Sequence, residues 1–120
     1  MKRVLMLGIL LVGGCRTMES VKKDTDGGTT KEYAGSVEEV VGRAQGVFKA
    51  AGAEKVEREG DAVFASFPAN GAHDGTFCGA WVMPAGEGKV SVRCVTKNRS
   101  AHIIACAMTE REFHDLLSRK

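Results

Sequence analysis

Ser36 is followed three residues later by Glu39, and Thr109 by Glu112. Each pair is the signature of a capping box, in which the hydroxyl accepts from the third backbone N–H while the carboxylate reaches back to the cap's own N–H. These two pairs fix where helices begin. After Ser36 the apolar residues Val37, Val40, Val41, Ala44, Val47, Phe48 and Ala51 recur on one helical face until Gly52, a C-terminal stop. After Thr109 a shorter stripe follows, made of Phe113, Leu116 and Leu117. Gly42 and Gly46 fall one turn apart on the polar side of the first helix, where they could admit a close partner, although a solvated face is the favoured reading. Between the helices the period changes to two. Residues 54–59 and 62–67 flank Gly60-Asp61, a dipeptide suited to a II′ hairpin turn. Residues 77–83 and 89–97 flank the turn Ala85-Gly86-Glu87-Gly88, while 68–75 is dense in turn formers. Residues 29–34 add a short edge strand, and 102–108 read as either a last short strand or a helical extension. The expectation is an α+β fold: an antiparallel β-sheet of four to five strands with two helices on one face, in the order β-α-β-β-β-β-α.

The N-terminus belongs to no part of this plan. Lys2 and Arg3 precede nine apolar residues, Val4 to Val12, and the run ends in Gly13-Gly14-Cys15. A membrane-spanning helix needs about 20 apolar residues, so this run is too short to stay in a bilayer. A positive start and a short apolar core are the parts of an export signal. Small residues at 13 and 14 leave the backbone before the cysteine open to a peptidase. The arrangement resembles the lipobox of bacterial lipoproteins, with Val12 where Leu is commonest. The competing reading, an ordinary signal peptide with an incidental cysteine, lacks its Ala-x-Ala cleavage site. Cys15 is therefore expected to become the lipid-bearing first residue, carrying palmitate-type acyl chains.

Cleavage before Cys15 leaves 120 − 14 = 106 residues and removes two of the 17 basic residues, leaving 15 against 15 acidic ones. The formal +2 thus belongs to the signal, and the mature chain is neutral. A nucleic-acid surface would need a concentrated basic patch, so nucleic acid is not an expected partner. Two or three acyl chains, at about 0.8 kcal/mol per buried CH₂, hold a protein at a membrane without a spanning helix. Residues 16–35 carry equal numbers of acids and bases with few large apolar groups, and read as a flexible tether. The expected organisation is a signal peptide at 1–14, the lipidated cysteine and tether at 15–35, and one small domain at 36–120. That last stretch holds all five Phe and the single Trp, enough for one modest core.

The pieces Tyr33-Ala34-Gly35-Ser36, residues 40–52 and Val90-Ser91-Val92-Arg93 together resemble an uncharacterised family of small bacterial lipoproteins. Its members combine a lipobox, a short polar tether and a small α+β domain. The resemblance spans most of residues 30–98 and implies fold and location. It implies no chemistry, and it does not extend to the cysteines or the last helix.

With Cys15 consumed, Cys78, Cys94 and Cys106 remain in an oxidising compartment, and an odd number cannot all pair within one chain. Strand register decides which can meet. If the hairpin of 77–83 with 89–97 pairs residues whose numbers sum to 172, Cys78 faces Cys94. If the sum is 173, Phe77, Trp81 and Met83 join Val90, Val92 and Cys94 on one face. The second option buries more apolar surface and is favoured. A turn near Ser100 then sets Cys94 opposite Cys106, a possible disulfide. Three buried thiols are the plainer alternative.

No Cys-x-x-Cys or close Cys/His spacing exists to hold a metal, and no cofactor motif is present. His73, His102 and His114 are scattered, and His73-Asp74 falls in the Gly-rich loop without a nucleophile motif nearby. The expected function is a non-catalytic, lipid-anchored envelope domain that holds a protein partner. The alternative is a small-ligand, metal or thiol-binding module using Cys78, Cys94, Cys106 and His102. A hydrolase built on His73 and Asp74 is the third reading. An inner-membrane retention signal would place Asp after the cysteine. Arg16 stands there instead, which leans toward the outer membrane on the periplasmic side.

Overall fold

Both capping boxes form as the sequence requires. A computed structural model of the chain describes residues 18–69, 75–98 and 107–119. Its elements run in the order α1 (Met18–Lys22), β1 (Thr29–Ala34), α2 (Val37–Ala50), β2 (Lys55–Glu59), β3 (Ala62–Phe67), β4 (Thr76–Gly86), β5 (Lys89–Asn98) and α3 (Glu110–Ser118). Ser36 Oγ accepts from the Glu39 N–H at 3.1 Å and Thr109 Oγ1 from the Glu112 N–H at 3.0 Å. At the far end of α2, the Gly52 N–H donates to the Lys49 carbonyl and the Ala53 N–H to that of Phe48, each at 3.1 Å. This Schellman arrangement needs a left-handed residue, supplied by Gly52 at φ 99°.

The five strands form one antiparallel sheet in the order β1-β5-β4-β3-β2. β2 and β3 meet through the two-residue loop Gly60-Asp61, with Glu59 opposite Ala62. Gly60 has φ 61° and Asp61 does not have a positive φ, as a II′ turn demands. The α+β class and the two longer helices on one face match the expectation. Val40, Val41, Ala44 and Phe48 of α2 and Phe113 and Leu117 of α3 pack on Val63, Ala65, Cys78, Ala80, Val82, Val90, Val92 and Cys94 of the sheet. The Phe48 and Phe113 rings stack at 4.8 Å and join the two helices.

Three expectations are corrected. The first is register: β4 and β5 pair with a sum of 174, Cys78 opposite Thr96 and Ala80 opposite Cys94. An extra residue at Ala85, between Pro84 and Gly86, bulges the strand just before the turn. Neither 172 nor the favoured 173 holds. The favoured register put every large apolar side chain on one face because it assumed a single core. The sheet is apolar on both. β3 is buried along nearly its whole length, and Phe64 and Val95 form a second cluster with Val21, packed by Met18, Phe77 and Trp81.

The second correction follows from the first. From Met18 onward the segment expected to be a tether is folded. Its short helix α1 covers the second apolar face, with Val21 fully buried. The third concerns α3, whose buried stripe is Phe113, His114 and Leu117, while Leu116 is only partly covered. Most of the last strand expected at 102–108 lies outside the described residues; Ala107 and Met108 are irregular.

Candidate functional surface

Cys15, His73, Asp74, His102 and Cys106 lie outside the described residues, so the expected lipidation site, the Cys94–Cys106 pair and the His73-Asp74 loop have no geometry here. Cys78 and Cys94 are both fully buried in the main core. They share a face but are offset by two residues along the ladder, a diagonal relation. Burial, reinforced by Cys78 and Glu110, pushes the Cys94 thiol well above its ordinary pKa. That is the environment of an inert core thiol. Among the described residues no group of three or more Cys, His, Asp or Glu is placed to hold a metal.

The buried polar centre is one that the sequence did not advertise. His114 is 1% exposed. Its Nε2 lies 2.8 Å from the Thr29 carbonyl oxygen, which can only accept, so Nε2 carries the proton. Nδ1 is then the acceptor for the Tyr33 hydroxyl at 2.5 Å. The two rings are stacked at 5.8 Å. Burial lowers the His114 pKa and raises that of Tyr33 to about 12. Thr29 and Tyr33 belong to β1, an edge strand, and α3 closes over them. Thr29 Oγ1 also donates to Glu110 at 2.6 Å. The imidazole is buried with both nitrogens engaged, so its geometry fits a clamp between helix and sheet edge, not a base acting on a substrate.

On the opposite face α1 is held by a set of directed contacts. Val21 sits over Gly79, where a Cβ would come within 2.8 Å of Val21 Cγ1. Only a glycine lets the helix approach this closely. Arg93 donates to the carbonyls of Gly27 and Asp24, each at 2.8 Å, and its guanidinium lies 4.1 Å from the Trp81 ring centroid. Asp24 accepts from the Gly27 N–H at 2.6 Å and pairs with Lys97 at 3.1 Å. Those contacts, Gly27 first, hold its carboxyl below its usual pKa. Lys22 closes the row on Glu59 at 2.6 Å and lies over the Phe64 ring. Beyond α1 this face opens into a cleft of about 460 Å³ beside Trp81, Pro84 and the exposed Met83.

The outer, helical side carries a second groove of about 410 Å³ between α2 and α3. Gly46, Val47, Ala50 and Leu116 form its walls, and Arg43 and Arg119 stand at its rim. Arg43 is fixed there by donating to the Leu117 carbonyl. Gly46 leaves the wall low, since a Cβ there would meet nothing within 4 Å. The two helix-capping motifs that place these walls were legible. The docking of α1 was not, although Phe64, Phe77, Trp81 and Val95 on the far face required some cover. Compared with protein-family models, curated proteins and solved structures, the chain matches none of them.

Proposed function

We propose that the chain is an exported bacterial lipoprotein, held at the membrane by acyl chains on Cys15, whose α+β domain binds another envelope protein and performs no catalysis. The observation that carries the reading is the N-terminal pattern: Lys2-Arg3, nine apolar residues, then Gly13-Gly14-Cys15. The neutral mature charge fits a domain whose attachment depends on lipid and not on a basic surface. On the domain itself, the groove between α2 and α3, rimmed by Arg43 and Arg119, is the surface offered to the partner. Arg16 after the cysteine favours the outer membrane.

Mass spectrometry of the N-terminal peptide from the membrane fraction tests the anchor. The expected species starts at Cys15 and carries two or three acyl chains. An uncleaved chain, or an unmodified Cys15 in the mature protein, overturns the reading. Crosslinking in intact cells tests the partner: a reproducible adduct from the α2–α3 groove is expected, lost on Gly46→Arg and Leu116→Glu.

A further inference from the structure

Two residues, Arg16 and Thr17, separate Cys15 from a helix that is docked on the sheet. We infer that the domain is seated directly on the lipid bilayer, with the α1 side of its sheet toward the headgroups and the α2–α3 layer outward. The inference rests on the proposed lipidation of Cys15. Three consecutive Cα–Cα steps of about 3.8 Å put Met18 within about 11 Å of the acylated residue, whatever path the chain takes. The headgroup layer on each side of a bilayer is only about 5–8 Å thick. Met18 therefore lies in that layer or just outside it.

From Met18 onward there is no slack to let the domain move away. Val21 is fully buried over Gly79, Lys22 is paired to Glu59 and Asp24 to Lys97. Arg93 holds the carbonyls of Asp24 and Gly27 before the chain enters β1. α1 is thus the stop at which the reach of the anchor ends. It packs on one face of the sheet, and α2 and α3 pack on the other. Bringing the start of α1 to the headgroups turns its face toward lipid and leaves the Arg43–Arg119 groove in the periplasm.

Trp81 is the single tryptophan and belongs to the α1 face, which gives a direct readout. The acylated protein is placed in phosphatidylethanolamine–phosphatidylglycerol vesicles containing a dansyl-headgroup lipid, and energy transfer from tryptophan is measured. A 20-residue Gly/Ser insertion between Thr17 and Met18 has a mean span of about 25 Å and should lower transfer at least twofold. A Trp81→Phe/Ala51→Trp variant, with its reporter on the α2 side, should likewise transfer at least twofold less than the parent. Transfer unchanged by the insertion, or as strong from the α2 side, overturns the seating while acylated Cys15 leaves the lipoprotein reading standing. A chain without acyl groups overturns both.

Discussion

The Tyr33 hydroxyl lies 2.5 Å from Nδ1 of His114, across a separation of 81 residues. The contact joins an edge strand to the last helix, and its second nitrogen caps the Thr29 carbonyl on the same strand. Both groups are neutral in this arrangement. Burial lowers the His114 pKa below its ordinary 6.5, so the unfolded chain takes up the proton first. The stability His114 contributes is complete above about pH 6.5 and declines as pH falls toward the lower folded value. Urea unfolding at pH 7.5 and pH 5.5 should show a lower midpoint at the acid pH. A His114→Gln variant should reduce that difference.

Tyr33 supplies the other boundary. It is the single tyrosine, so its titration is read without interference. Burial raises its pKa from 10.0 to about 12, and the unfolded chain loses the proton first. The corresponding stability is complete below pH 10 and is lost as pH rises through about 12. Phenolate absorbance of the native protein should rise with a midpoint near 12. A midpoint near 10 would mean the hydroxyl is not held in this site.

Removing the hydroxyl leaves the His114 acceptor buried and unpaired. Tyr33→Phe should therefore cost about 1–3 kcal/mol at neutral pH, the penalty of an unsatisfied buried polar group. Equilibrium denaturation measures it. A loss below about 0.5 kcal/mol would show that a water donates to Nδ1 in place of the hydroxyl.

Val21 and Gly79 make a complementary pair of opposite sizes. Val21→Ala removes two buried carbon atoms and should cost about 2 kcal/mol. Gly79→Ala places a Cβ 2.8 Å from Val21 Cγ1 and about 3 Å from Trp81 and Phe64. Overpacking of that kind costs about 1–3 kcal/mol and lifts α1 from the sheet. The double variant should be less destabilised than the sum, because Ala at 21 vacates the space the new methyl needs. Limited trypsin digestion after Lys22 and Lys23 gives an independent readout, with Gly79→Ala cut fastest.

Local chemistry made much of this fold legible. The Ser36–Glu39 and Thr109–Glu112 boxes, the Gly52 stop and the Gly60-Asp61 hairpin are each fixed by residues within a few positions of one another. What escaped is what depends on distant cover. α1 has five residues and one fully buried side chain, too little to produce a helical period. Without it, Phe77 and Trp81 are assigned to the same core as Val90 and Val92, and the register comes out one step wrong. His114 shows the same limit. Its neighbours Phe113 and Leu117 mark the buried stripe, but nothing near it in sequence announces Tyr33 as its partner. The proposed lipidation motif is wholly sequential: it rests on Lys2-Arg3, the apolar run and Gly13-Gly14-Cys15, all outside the described residues.

Cys94 should behave as a core residue and not as a reagent. It is fully buried and its thiol is held well above its ordinary pKa. Maleimide should leave Cys94 unlabelled in the native protein over hours and label it at once in urea, as peptide mapping would report. Cys94→Ser should cost more than Cys94→Ala, because the hydroxyl must be buried without a built partner, a difference of about 1–3 kcal/mol. Fast native labelling of Cys94 would mean that the β5 side of the core opens readily.

Arg93 combines two functions that a lysine cannot share. Its guanidinium donates in two directions, to the Asp24 and Gly27 carbonyls, while its plane rests on Trp81. A lysine ammonium keeps the charge but has no planar fork to bridge both carbonyls and stack at once. Arg93→Lys should therefore lose most of what Arg93→Ala loses, about 1–2 kcal/mol given the partial exposure of the site. Trp81 emission should shift to the red in both variants as α1 loosens. If Arg93→Lys instead retains parental stability and emission, charge alone holds the segment, and the two carbonyl bonds contribute nothing measurable.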